Sequence, residues 1–176
     1  MIGWSDLPAD LSDTATLARL SGYLPQDALV VSSDLLRATE TADAIQHGRH
    51  RLPHLRDLRE IHFGAWERRR HSEIEAEDPN HIRAYWEHPG SIRPPGGESW
   101  NDVCARVNAA IDHLTKCHPG QNLIVVAHFG VILTQIQRAL ALNPKDAFGH
   151  RIDNLSVTEL GRLPNGWDVG TINHLP

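Results

Sequence analysis

Two short apolar runs, at 28–31 and 123–127, stand out of an otherwise amphipathic chain. Each stops abruptly, the first at Ser32-Ser33 and the second at His128-Phe129-Gly130. Apolar runs of this length bounded by turn-formers read as buried strands. Around them the apolar positions recur every three or four residues. Leu11, Ala15, Leu17 and Leu20 predict a helix over 11–23, with Ser12 or Asp13 as its cap. Leu35, Leu36, Ala42 and Ile45 predict a second over 34–46, punctuated by Gly48. Val103, Val107, Ala110 and Leu114 form the stripe of a long helix over 99–116. Shorter polar helices are expected over 72–77 and 80–87, and a further one from about 131 to 142. Residues 51–67 are irregular, with Pro53 and Gly64, and read as loop with a short extended piece. A Pro/Gly-rich loop follows at 89–97. A closing strand pair is expected at 157–160 and 167–172. Strands alternating with helices predict an α/β sheet covered on both faces.

Bulk properties narrow the function without naming it. At 176 residues the chain fits one domain with a real core. Its 22 acidic against 17 basic residues exclude a strongly basic surface, so charge gives no reason to expect nucleic acid. No stretch approaches a membrane span, and no basic-then-apolar leader opens the chain. Cys104 and Cys117 share one predicted helix in no metal or redox spacing, which suits reduced thiols in the cytoplasm. Twelve histidines against one methionine mean that no histidine is special by its mere presence.

Four places could carry chemistry. His128 sits at the carboxyl end of a probable parallel strand, where open α/β sheets bind ligands, and the next helix would aim its positive end there. A backbone carbonyl could equally satisfy that ring. Arg37 opens the helix after the first strand, where a guanidinium can fork onto phosphate oxygens or simply stay solvated. Glu60 stands among Leu58, Ile61, Phe63 and Trp66, and an apolar setting raises a carboxyl pKa as a general acid requires. On its own it also reads as an ordinary surface glutamate. Glu98 and Ser99 end a Pro-Pro-Gly-Gly turn, either capping the long helix or lining a pocket rim. His47, His50 and His54 lie close together but match no standard zinc spacing. Arg68-Arg69-Arg70 is a solvated face or a positive rim that attracts anions.

Taken in order, six segments resemble the histidine phosphatase superfamily, the phosphoglycerate mutase-like proteins. They are Gly3-Trp-Ser-Asp6-Leu-Pro8, Ser32-Ser33 through Arg37 to Thr41-Ala42, Leu58-Arg-Glu60 to Trp66-Glu67, Pro95-Gly-Gly-Glu98-Ser99, Val125-Val-Ala-His128, and Asn154-Leu-Ser156-Val-Thr158. The resemblance implies a three-layer, doubly wound sheet with helices on both faces. It implies Arg37 as phosphate clamp, with Glu98 and Ser99 on the substrate side. Glu60 becomes the proton donor to the leaving oxygen, and His128 a second donor to the phosphoryl oxygens. It implies no metal and no cofactor, since the phosphoryl group passes through a phosphohistidine. The long insertion of true mutases is lacking, so a compact phosphatase of the broad-specificity or α-ribazole kind is the closer comparison. Phe129 and Arg68 stand where the family usually carries glycine.

The family's nucleophile lies in an Arg-His-Gly motif at the end of a first strand, ahead of the Gly-Trp-Ser-Asp segment. No Arg-His-Gly occurs here. The resemblance therefore leads to the expectation of a single domain over 1–176 that is incomplete at its N-terminus, with the first strand missing. It would be a phosphomonoester phosphatase-like protein, inactive as written. The alternative is a non-catalytic phospholigand-binding or regulatory protein that keeps the clamp. The expected partner is a small phosphorylated molecule or inorganic phosphate, with no nucleic acid and no membrane. An interior strand edge left open also favours a homodimer.

Overall fold

A computed structural model describes residues 1–176. The apolar run after Ala28 becomes β1 (Leu29–Ser32), and the second becomes β3 (Leu123–Val126). They pair in parallel, with Leu29 opposite Leu123 and Ser32 opposite Val126, so their carboxyl ends finish side by side. A two-residue strand, β2 (His50–Arg51), adds in parallel to the other edge of β1 and gives the order β2-β1-β3. The only ladder of β3 is the one with β1.

Alternation of side chains splits the core into two layers. Val30 and Ile124 point to one face. There α1 (Thr14–Tyr23) and α2 (Leu36–Ile45) bury Leu17, Leu20, Ala42 and Ile45. Val31, with the partly buried Leu123 and Val125, points to the opposite face. Here α5 (Trp100–Cys117) and α6 (Phe129–Leu140) supply Val103, Val107, Leu133 and Ile136. The polar helices α3 (His71–Glu77) and α4 (Pro79–Glu87) join this layer through Ile74, Ile82 and Tyr85. Helices therefore cover both faces of the sheet, as the alternation of elements predicts. None is long and apolar enough to cross a membrane.

Local chemistry sets the boundaries. Of the two candidate caps for α1, Asp13 accepts the Thr16 N–H, so the helix starts at Thr14 rather than Leu11. Arg49 is 3% exposed and lies against the ends of two helices. It donates to the Ser21 and Leu24 carbonyls at the carboxyl end of α1 and to the Ile45 and Gln46 carbonyls at that of α2. A cation is favourable at a helix carboxyl end, and here one guanidinium serves two. The closing strands fall slightly off their expected positions. They form a separate antiparallel hairpin, β4 (Leu160–Leu163) and β5 (Gly166–Val169), with one more bridge between Val157 and His174. A short helix, α7 (Pro144–Ala147), capped by Asn143, has no periodic signal in the sequence.

The irregular stretch 51–67 contains two 3₁₀ turns, Arg56–Leu58 and Gly64–Trp66. It is held by Glu67, whose carboxylate accepts N–H bonds from Gly3, Trp4, Ser5 and Phe63 and the Ser5 hydroxyl. Arg68 follows with φ 61°, the left-handed region that a β-carbon disfavours. That geometry explains why a glycine is the natural occupant. Arg68→Gly is expected to raise the unfolding free energy by about 1 kcal/mol, read from urea denaturation midpoints at unchanged slope.

Candidate active site

β1 and β3 deliver their last residues to one place, and the loop 58–63 closes over it. Glu60 is 8% exposed at this spot. Its carboxylate accepts the Ile61 N–H (2.9 Å) and the Gly130 N–H (3.0 and 3.2 Å), so it sits on the first turn of α6. That helix has no side-chain cap of its own, and Glu60 fills the role from 70 residues away. A β-carbon on Gly130 would overlap the carboxylate, which explains the glycine. Burial raises the Glu60 pKa, while the two N–H bonds and the charges of Arg37 and Arg106 pull the other way. A carboxyl so placed holds its proton longer than an exposed one.

His128 is perturbed in the opposite sense. Burial, then the positive charges of Arg37 and Arg106, push its ring down to about 3, leaving it neutral at physiological pH. Its Nε2 lies 2.8 Å from Ser33 Oγ. Ser33 is fully buried, and its oxygen already accepts the Leu35 N–H at 3.1 Å. With one proton and a second lone pair left, the hydroxyl can donate to a bare Nε2 or accept from Nε2–H, so it serves either neutral tautomer. The side chain, rather than a backbone carbonyl, satisfies this histidine.

Arg37 enters from the first turn of α2. Nη1 donates to the Ser5 carbonyl (3.0 Å) and Nη2 to the Gly3 carbonyl (2.7 Å). Two of its five N–H groups are thus engaged with backbone. Burial lowers its pKa, partly offset by Glu60, Asp6 and Glu67. The same guanidinium shifts both Glu60 and His128, which brings the three expected residues together at one site. The N-terminus of α2 borrows its cap as well, from Asp6 Oδ1 to the Leu36 N–H at 2.7 Å.

Glu98 and Ser99 are each held by other partners. Both oxygens of Glu98 take the fork of Arg106 (2.7 and 2.9 Å), and one also takes the His62 N–H. Ser99 is 1% exposed and caps α5 in a reciprocal box with Asp102. Capping won because the turn at Gly96-Gly97 aims both side chains back at the helix and the 58–62 loop. The residue that sequence reading missed is Arg106. Its remaining N–H groups hold the carbonyls of Asp57, Arg59 and Glu60 at 2.7–2.9 Å. An arginine flanked by buried Val103 and Val107 on the helix stripe was the available signal. Ser33 was legible only as part of a motif, without its partner.

An α/β domain with a buried carboxyl, a neutral histidine and an arginine gathered at parallel strand ends is the architecture of the phosphoglycerate mutase-like fold. The chain belongs to the histidine phosphatase superfamily (branch 1), whose profile matches residues 3–175. It is 31% identical over 144 residues to the adenosylcobalamin/α-ribazole phosphatase of Salmonella typhimurium, 81% of this chain and 71% of that protein. Its structure is similar to that of YhfR from Bacillus stearothermophilus, with a TM-score of 0.90 and 27% identity, over 100% of this chain and 89% of that one. It is also similar to a mycobacterial glucosyl-3-phosphoglycerate phosphatase in complex with inorganic phosphate. That match has a TM-score of 0.85 and 27% identity, over 99% and 91% of the two chains.

Two outcomes are expected. Because the folded ring of His128 titrates below its ordinary 6.5, the unfolded chain gains a proton that the folded chain refuses as pH falls. Its contribution to stability is complete above about pH 6.5 and declines from there toward pH 3. Between pH 7 and 5.5 the loss is about 1 kcal/mol. The raised Glu60 acts with opposite sign, so urea unfolding of His128→Asn beside the parent isolates the ring. Arg106→Met leaves three loop carbonyls and Glu98 without their donors, and should lower the unfolding free energy by about 2–4 kcal/mol in the same assay.

Proposed function

We propose that this chain binds phosphomonoesters through Arg37, His128 and Glu60, and that residues 1–176 alone do not turn them over. The observation that carries the reading is the meeting of these three groups at the carboxyl ends of β1 and β3, beside the first turns of α2 and α6. A guanidinium with free N–H groups beside a neutral imidazole favours a phosphate dianion. Arg37 clamps the phosphoryl oxygens with its free N–H groups. His128, as its Nδ1–H tautomer, donates to a further oxygen without carrying charge. Glu60, its pKa raised by burial, hydrogen-bonds the ester oxygen when protonated.

Phosphatase relatives, and a structural neighbour that holds inorganic phosphate, support the ligand class. Hydrolysis by the family's route needs a histidine nucleophile in an Arg-His-Gly motif. The two Arg-His pairs present, Arg49-His50 and Arg70-His71, are followed by Arg and Ser, and both histidines are exposed on peripheral elements. As it stands the site is that of a phospholigand-binding or regulatory protein.

Titration of the purified chain with inorganic phosphate and with vanadate should give saturable binding. Arg37→Ala should weaken it on the order of 10–100-fold, the worth of a charge-assisted pair. No release of p-nitrophenol from p-nitrophenyl phosphate is expected. Efficient hydrolysis that disappears in His128→Ala would overturn the non-catalytic reading.

A further inference from the structure

Large apolar side chains left in solvent are few here, and two of them flank the site. Leu36 is 39% exposed and directly precedes Arg37. Phe129 is 41% exposed and directly follows His128. Each is the first residue of its helix, α2 or α6, and those helices leave neighbouring strands whose ends are in register. Neither side chain belongs to the apolar cluster on either face of the sheet. Single exposed apolar residues need no explanation. These two hold equivalent positions, each next in sequence to a residue of the same polar cluster.

Several polar groups around the same rim are already engaged. Asp6 is bound to the Leu36 N–H, Arg59 forks onto Asp34 at 2.7 and 2.8 Å, and the carbonyls of Gly3 and Ser5 accept from Arg37. Arg56 and Arg59 pack on the Trp4 ring at 4.9 and 5.0 Å. A sugar or other polyol would find few free partners beside Leu36 and Phe129, and an apolar group would shed water against both.

We propose that Phe129 and Leu36 form an apolar subsite that takes the organic group of the bound phosphomonoester and favours an aromatic or aliphatic one. The inference rests on the phosphate-binding reading of Arg37 and His128, and extends it to the rest of the ligand. Phenylphosphonate and methylphosphonate, titrated calorimetrically into the whole chain with inorganic phosphate as reference, separate the two claims. Phenylphosphonate should bind roughly three- to tenfold more tightly than methylphosphonate, the worth of one aromatic pair. Phe129→Gly should bring that ratio close to one, and Phe129→Leu should keep part of it. Binding of all three probes with a ratio unmoved by Phe129→Gly overturns the subsite and leaves the phosphate site standing. No binding of any probe by the folded parent chain overturns both.

Discussion

One guanidinium, Arg106, organises the loop on which the site depends. The segment 57–62 has little regular structure of its own, and its carbonyls turn inward toward α5. Arg106 meets three of them, while its fork holds Glu98, which in turn accepts the His62 N–H. All five of its donors are satisfied in a half-buried place where an unmatched charge would cost several kcal/mol. The result is a loop fixed from below. Glu60 can then reach across to α6 because its backbone is already held by its own carbonyl.

Fixing the loop also fixes the electrostatics. Burial raises Glu60 and lowers His128, so both groups are driven toward their uncharged forms in the same small volume. Arg37 remains as the main positive group, steadied by Ser5 and Gly3. Burial thus works against charge on both side chains, while Arg37 lies half-buried beside them. Charged, Glu60 or His128 would need its own solvation. Pushing two titratable groups apart by environment is also how one site separates a proton donor from a spectator.

The elements that were easy to see in the sequence are those whose pattern is local. Runs at Leu29–Ser32 and Leu123–Val126, and the stripe of Val103, Val107 and Leu114, depend only on neighbours in the chain. Arg37, Glu60 and His128 were legible because each stands beside a strand or in an apolar setting, and because the family resemblance ordered them. What escaped was pairing across distance. Ser33 and His128 are 95 positions apart, Glu60 and Gly130 are 70 apart, and Arg106 gathers carbonyls that carry no side-chain identity at all. Glu98 shows the same limit. A glutamate before a helix cap looks the same in sequence whether it faces a ligand or a buried arginine.

The polar groups at the carboxyl ends of β1 and β3 are also structural members. Arg37 is held by the Ser5 and Gly3 carbonyls, and the bond of Glu60 to Gly130 completes α6. The same holds for Ser33, which bonds the His128 ring and also accepts the Leu35 N–H at the start of α2. Each polar group of the candidate site thus has a place in the fold, so a ligand would meet a geometry already made.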